Sequence, residues 1–312
     1  MSAFLHYLAL SAPFFAIVIL GYGVARLPVW RPSWTQWATK FVFAVPLPAL
    51  LFHMMSDRQK AAAVDARLLL AFFGSCLIVF VIGRAVGHFA FHLDGVAQSV
   101  FALGGVFSNN VLLGVPLARL TLGPEAMPCV ALVLVFNALT LWTLVTVSVE
   151  WARHGSPSLA GVRKTALSVL KNPLIIAILC GTLFGLSGLE LPAALDATLS
   201  LVGHAAGPLA LLVLGMGISA YGVRSGWRQS LAICALKLIV QPLVVWGLAL
   251  ALGLPLLERQ VVVLLGSLSV GANVYLMSAQ FETLQGPVAS SLVLSTLLAA
   301  ITTPLLLAAV GH

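Results

Sequence analysis

Apolar residues fill long blocks of this chain, and polar residues are confined to short gaps between them. A helix needs roughly 20 apolar residues to cross the hydrocarbon core of a bilayer. Ten blocks reach that length, at about 3–26, 34–55, 66–91, 96–121, 126–150, 165–188, 194–220, 229–253, 258–281 and 286–310. Each predicts a helix, with ends uncertain by roughly 3 residues. The longest polar gap, Trp151 to Lys164, separates residues 1–150 from 165–312, five blocks to a side. No stretch reads as a soluble domain or a low-complexity segment.

Composition agrees with the pattern. Of 312 residues, 61% are hydrophobic and 8% charged, too few to give a soluble protein of this size a charged skin. The class is an all-α, polytopic integral membrane protein. The net charge of +7 does not form a nucleic-acid-binding stripe, because the basic residues are scattered at block ends. Instead they report topology. Arg26, Arg31, Lys40, Arg84, Arg153, Arg163, Lys164, Lys171, Arg224 and Arg228 follow odd-numbered crossings, whereas Arg58, Lys60, Arg67, Arg119 and Arg259 follow even-numbered ones. The positive-inside rule puts the larger group in the cytoplasm, so both termini are expected outside and 151–164 is expected to be a cytoplasmic loop. The first 20 residues lack Lys and Arg, so Met1 to Leu27 reads as a true first span rather than a cleavable leader. Cys76, Cys129, Cys180 and Cys234 fall inside apolar blocks without metal-type spacing and read as small buried residues.

The two halves echo one another. Pro13 and Gly21 in block 1 correspond to Pro173 and Gly181 in block 6, offset by 160 residues. Pro48-Ala-Leu-Leu in block 2 corresponds to Pro208-Leu-Ala-Leu-Leu in block 7 at the same offset. Asn110-Val-Leu-Leu in block 4 corresponds to Asn273-Val-Tyr-Leu in block 9, offset by 163. Five crossings per half is an odd number, so the second half is expected to be inverted relative to the first. Inverted repeats of this kind build many secondary transporters.

Blocks 4 and 9 are the interrupted pair. Ser108, Asn109 and Asn110 precede Gly114 and Pro116, and proline suits the first turn of a resuming helix. A break is therefore expected over Ser108 to Gly114. Ser267, Ser269, Gly271, Ala272 and Asn273 supply a matching break in block 9. Irregular backbone at membrane depth survives only where protein or a water-filled cavity satisfies it. Two such breaks crossing near the midplane would present free N–H groups and positive helix ends, which favour an anion. Asparagine amides can donate to a carboxylate. A kink with Asn-mediated helix packing is the plainer alternative.

These residues resemble the auxin efflux carrier family. "SNNVLLGVPL" is similar to its Asn-x-x-x-x-Gly-[IV]-Pro-Leu signature. "KFVFAVPLPALLF" (40–52), "KNPLIIAILCG" (171–181), "AAGPLALLVLGMGIS" (205–219) and "LKLIVQPL" (236–243) resemble its second, sixth, seventh and eighth spans. The resemblance covers essentially the whole chain in order. It implies a ten-helix inverted-repeat fold with crossed, broken helices 4 and 9. It also implies carriage of carboxylates, as in bacterial permeases associated with malonate and malate and in plant auxin exporters. It is compatible with a homodimer, which no motif here sets.

Other residues carry weaker signals. Asn137 matches a polar position that lines the site in related carriers, and Tyr275 could offer a hydroxyl to substrate; bonding between helices and ordinary burial are the alternatives. Lys237 lies about 12 Å into block 8 and matches the family's Lys-to-Pro pattern, with Pro242 five residues on. It marks either an ion path or a side chain that snorkels to the interface. The plant carriers' balancing acid in the third span is missing from "LLLAFFGSCLIVFVIG". His53 and His204 near block ends read as interfacial.

The expected activity is secondary transport of a small organic anion by alternating access, across a bacterial inner membrane. The expected substrate residues are Ser108, Asn109, Asn110, Gly114, Pro116, Asn137, Ser269, Ala272, Asn273 and Tyr275, with Lys237 as a charge or coupling residue. Neither cofactor nor metal is expected. A sodium symporter of the bile-acid carrier type shares the fold type, but no Asp or Glu lies near either break to hold sodium. No nucleophile-and-base motif suggests an enzyme. Flux that fails to saturate would point to a channel.

Overall fold

The computed structural model describes residues 3–56, 65–154, 173–219 and 226–311. Most of the central loop (155–164), the start of the sixth block (165–172) and Arg58, Lys60 and Arg224 lie outside the described residues. The described residues are helical, without a sheet. In chain order the helices are α1 (Ala3–Ala25), α2 (Pro32–Ala44), α3 (Pro46–Ser56), α4 (Arg67–Phe89), α5 (Gly95–Val106), α6 (Val115–Thr121) and α7 (Met127–His154). There follow α8 (Pro173–Ser187), α9 (Ala193–Ser219), α10 (Trp227–Ala235), α11 (Gln241–Ala251), α12 (Leu256–Ser267), α13 (Ala272–Gln280) and α14 (Gln285–Val310). Two widened π-type turns, Asn110–Gly114 and Leu236–Val240, lead into α6 and α11.

Proline placement explains most interruptions. Pro46 and Pro48 cannot donate to the helix ladder, so the second block divides at Val45 into α2 and α3. Pro116 and Pro242 each occupy the first turn of the helix that follows a π turn. The wider turn passes the missing donor without breaking the rod, with Val115 N–H reaching back to Asn110 O. Asp94 caps α5, its carboxylate accepting from the amides of Val96 and Ala97 at 2.9 Å.

Five described helical stretches are long and apolar enough to cross a membrane: Arg67–Phe89, Pro124–Arg153, Ala193–Gly217, Trp227–Ala251 and Gln285–Val310. Shorter apolar helices accompany them. Leu70, Ile78 and Val81 on α4, Leu183 and Leu186 on α8 and Leu201 on α9 face outward. An apolar exterior of this extent suits hydrocarbon and not water. Cys180 also faces outward on α8, a correction to the expectation that all four cysteines are buried; no described residue covers it.

The helices pack as two groups. In one, α1, α2 and α3 pack on α9, and α3 packs on α8. Very close approach is built in: a Cβ on Gly21 of α1 would strike the Leu212 carbonyl of α9, and one on Gly181 of α8 would lie 2.6 Å from the Phe52 carbonyl of α3. In the other group α4, α5, α7 and α10–α14 pack together, and α14 also packs on α1 of the first group. The interrupted segments belong to this second group, and their breaks face the first.

Candidate functional site

The fourth block is interrupted over a shorter stretch than its sequence suggests. α5 ends at Val106, Phe107 is extended, and helical winding resumes at Asn110 as the π turn. Residues 110–114, expected to be unwound, are wound because Asn109 O accepts from both Leu113 and Gly114 N–H. In the ninth block the extended stretch runs from Leu268 to Gly271, between α12 and α13.

The two breaks are bonded to each other. Ser108 pairs with Val270 in an isolated antiparallel bridge. Gly271 N–H donates to Phe107 O at 2.8 Å, and Asn109 N–H donates to Ser269 O at 3.0 Å. Gly271 is needed here, since a Cβ would stand 3.0 Å from both Ser108 O and the Phe107 ring. Other orphaned groups in the ninth-block break also find partners. Thr303 Oγ1 donates to Ser267 O at 3.0 Å, Val270 N–H donates to Ser295 Oγ at 3.0 Å, and Lys237 Nζ donates to Gly266 O.

Beside the bridge lies a cavity of about 130 Å³. Ser108, Asn109, Asn110, Ala272 and Asn273 line it from the two breaks, and Asn137 lines it from α7. Phe43 of α2, Leu134 of α7 and Leu174 and Ile178 of α8 supply an apolar wall. Among the described residues, no Asp, Glu, Lys or Arg lines it. Two helical starts meet there. Helix geometry leaves the amides of Asn110, Val111 and Leu112 without an intrahelical acceptor, and likewise those of Ala272 and Asn273. All five residues face the cavity.

Its polar side chains are under-satisfied. Ser108 Oγ, Asn109 Nδ2, Asn110 Nδ2 and Oδ1, and Asn137 Oδ1 are buried without a hydrogen-bond partner among the described residues. Ser269 Oγ, adjoining the bridge, is in the same state. Each such group costs about 1–3 kcal/mol when left unpaired. The cluster beside the two helical starts holds donors (Asn109 Nδ2 and Asn110 Nδ2), a hydroxyl (Ser108) and acceptors (Asn110 Oδ1 and Asn137 Oδ1).

Four of the expected substrate residues do not line the cavity. Gly114 is buried against Leu265 and Leu268, where a Cβ would lie about 3 Å from both side chains. Pro116 is buried against Gly207 of α9. Ser269 sits behind the bridge, accepting through its carbonyl, and Tyr275 lies further along α13. The apolar wall was not foreseen. Only the prolines beyond Phe43 could have hinted at a break facing the site from α2; Leu134, Leu174 and Ile178 look like any other apolar residues.

A family model described as membrane transport protein matches residues 7–307. The chain belongs to this family, the auxin efflux carriers. A Rhizobium meliloti (strain 1021) protein named "Putative malonate transporter" is 27% identical over 299 residues, covering 94% of this chain and 92% of the relative. Lys237 does not snorkel. Its side chain is fully buried, and its bond to Gly266 O ties the eighth block to the ninth. His53 Nε2 lies 2.8 Å from Asp196 Oδ1, joining the end of α3 to the start of α9.

Proposed function

We propose that this family member is a secondary transporter of a small organic anion, bound in the cavity beside the crossing and carried by alternating access. The observation that carries the reading is the cluster of buried Ser and Asn atoms, unpartnered among the described residues, between two helical starts in a cavity whose described lining has no charged side chain. Such a site offers a carboxylate many N–H donors without a fixed counter-charge. The small volume suits a short acid, and the Rhizobium relative's name makes malonate the first candidate.

The cavity's walls support the mechanism. Phe43, Leu174 and Ile178 come from the first helix group, whereas Ser108 to Asn110 and Ala272 to Asn273 come from the second. Rocking one group against the other would expose the cavity to each side in turn. The first group would then be the support and the second the moving part.

Ten crossings in two inverted halves, 1–150 and 165–312, complete the reading. The close helix contacts support it, because they exchange partners between halves. Gly21 of block 1 abuts block 7, and its counterpart Gly181 of block 6 abuts block 2. The bridge joins blocks 4 and 9 in the same reciprocal sense. By the charge distribution the termini lie outside the inner membrane.

Binding of malonate to the purified protein tests the proposal, with Asn110→Ala and Asn273→Ala beside it. Hydrogen bonds to a charged group are worth about 1.5–3 kcal/mol, so each variant is expected to bind roughly 10- to 100-fold more weakly while remaining folded. Affinity unchanged in both variants would move the site elsewhere.

A further inference from the structure

The cavity beside the crossing holds acceptors as well as donors, and a carboxylate satisfies only the donors. Asn110 Oδ1 and Asn137 Oδ1 are buried, belong to residues lining the same cavity, and have no partner among the described residues. The two asparagines are 2% and 5% exposed. Neither polar side-chain atom of Asn110 is paired, so turning its amide over exchanges the two positions and still leaves one acceptor free. A cargo that fills the cavity must bring its own O–H or N–H to these oxygens, or leave them stranded.

Charge leads to the same requirement. The lining comes from α2, α7, α8 and the two breaks, and among the described residues it contains no titratable side chain. The charged groups nearby have other partners. Lys40 of α2 lies over the Trp37 ring, His53 of α3 meets Asp196 of α9, Arg84 of α4 donates to Ser148 and Gln98, and Lys237 donates to Gly266 O. Arg119 of α6, Cys129, Glu150 and Arg153 of α7, Cys180 of α8, His204 of α9, Glu258 and Arg259 of α12 and Tyr275 of α13 do not line the cavity. A fully ionised dicarboxylate would therefore bring two like charges close together into a low-dielectric pocket, with only dipoles to answer them. Two helical starts and a few amides suit a single charge better.

We infer that the cargo is bound as a monoanion carrying one O–H: for malonate, the half-protonated acid, with its carboxylate on the amides and its carboxyl O–H donating to a free asparagine oxygen. The inference rests on the cavity being the transport site, and it sharpens what that site accepts. Each malonate then crosses with one proton and one net negative charge. The proton travels in the cargo, so the carrier responds to a pH gradient without a titratable side chain at the site.

The test is binding of three acids of nearly one shape to the purified full chain, measured by calorimetry between about pH 5 and about pH 8. Ordinary carboxyls titrate near about pH 4. Malonate holds its second proton to higher pH, because the first charge opposes the second. Malonamate keeps a single charge across the range and offers an N–H in place of the O–H. Acetoacetate keeps the same charge and size but ends in a methyl group. Malonate affinity should fall about tenfold for each pH unit above its second ionisation, following the monoanion, while malonamate affinity should stay constant within about twofold. Acetoacetate should bind about tenfold more weakly than malonamate, having nothing to donate. Malonate affinity that is flat or rises with pH would overturn the inference and leave the transport proposal standing. A parallel fall for malonamate would place the titration on the protein, and acetoacetate binding as tightly as malonamate would remove the role of the asparagine oxygens; either result overturns the inference as well. Failure of all three acids to bind at any pH would overturn the carboxylate site itself, and this inference with it.

Discussion

Asn110 has both side-chain polar atoms buried and unpartnered, the least comfortable position in the cavity. Replacing it with a near-isosteric apolar residue removes two unsatisfied groups at once. Asn110→Leu is therefore expected to raise the melting temperature, by about 2–4 °C for each kcal/mol gained, while abolishing malonate binding. Differential scanning fluorimetry beside a binding titration checks it, and a fall in both quantities would assign Asn110 to the scaffold. Ser295 is the converse case. Its hydroxyl accepts from Val270 N–H inside the break, so Ser295→Ala strands a buried donor. A loss of about 1–3 kcal/mol is expected, seen as a lower melting temperature. The residue scale is also where sequence reading stops. The polar side chains of Ser108, Asn109 and Asn110 were legible because polar atoms are rare in apolar blocks, and Asn137 through the family resemblance. Leu174 and Ile178 were not, because nothing distinguishes a leucine facing the cavity from one facing lipid. The fate of Lys237 depended on a carbonyl 29 residues away, which spacing cannot reveal.

Helical elements were more legible than their irregularities. Every apolar block contains described helix, since long apolar runs and proline punctuation dictate helix and interruption alike. Prolines alone did not say what the ladder does: Pro13, Pro208 and Pro304 sit inside continuous helices. Before Pro46 the rod divides, whereas before Pro116 and Pro242 it widens into a π turn. The difference lies in packing against neighbours, which sequence pattern does not encode. Pro116→Ala tests what the widened turn does. With the missing N–H restored, Asn110–Gly114 is expected to tighten toward α-helical winding. Losing one residue from the turn would swing Asn109 and Asn110 by roughly 100° relative to α6. Malonate affinity should fall at least tenfold with helix content unchanged by circular dichroism. Unaltered affinity would show that the π turn does not set the asparagines' direction.

At the scale of the whole molecule, the two helix groups and the proposed inverted halves make a topological prediction. Alkaline phosphatase is active only outside the inner membrane. Fused after His312 it should be active, and fused after His154 it should be inactive. The opposite pattern would reverse the orientation drawn from the basic residues, and activity at both points would refute an odd number of crossings between them. Rigid packing within the first group is a second consequence. Gly215 of α9 is so close to α1 that a Cβ would strike the Val18 carbonyl. Gly215→Ala should force the pair apart and cost about 1–3 kcal/mol or more, lowering the melting temperature without touching the cavity.

The hydrogen bonds that join the two interrupted segments run from main chain to main chain: Phe107 to Gly271 and Asn109 to Ser269. Peptide groups are common to every residue, so mutation has little purchase on that junction beyond the demand for glycine at 271. The side chains flanking it are free to vary. A lineage could exchange one acid for another by altering asparagines and wall leucines, while the stitch that holds the chassis together passes unchanged from parent to descendant.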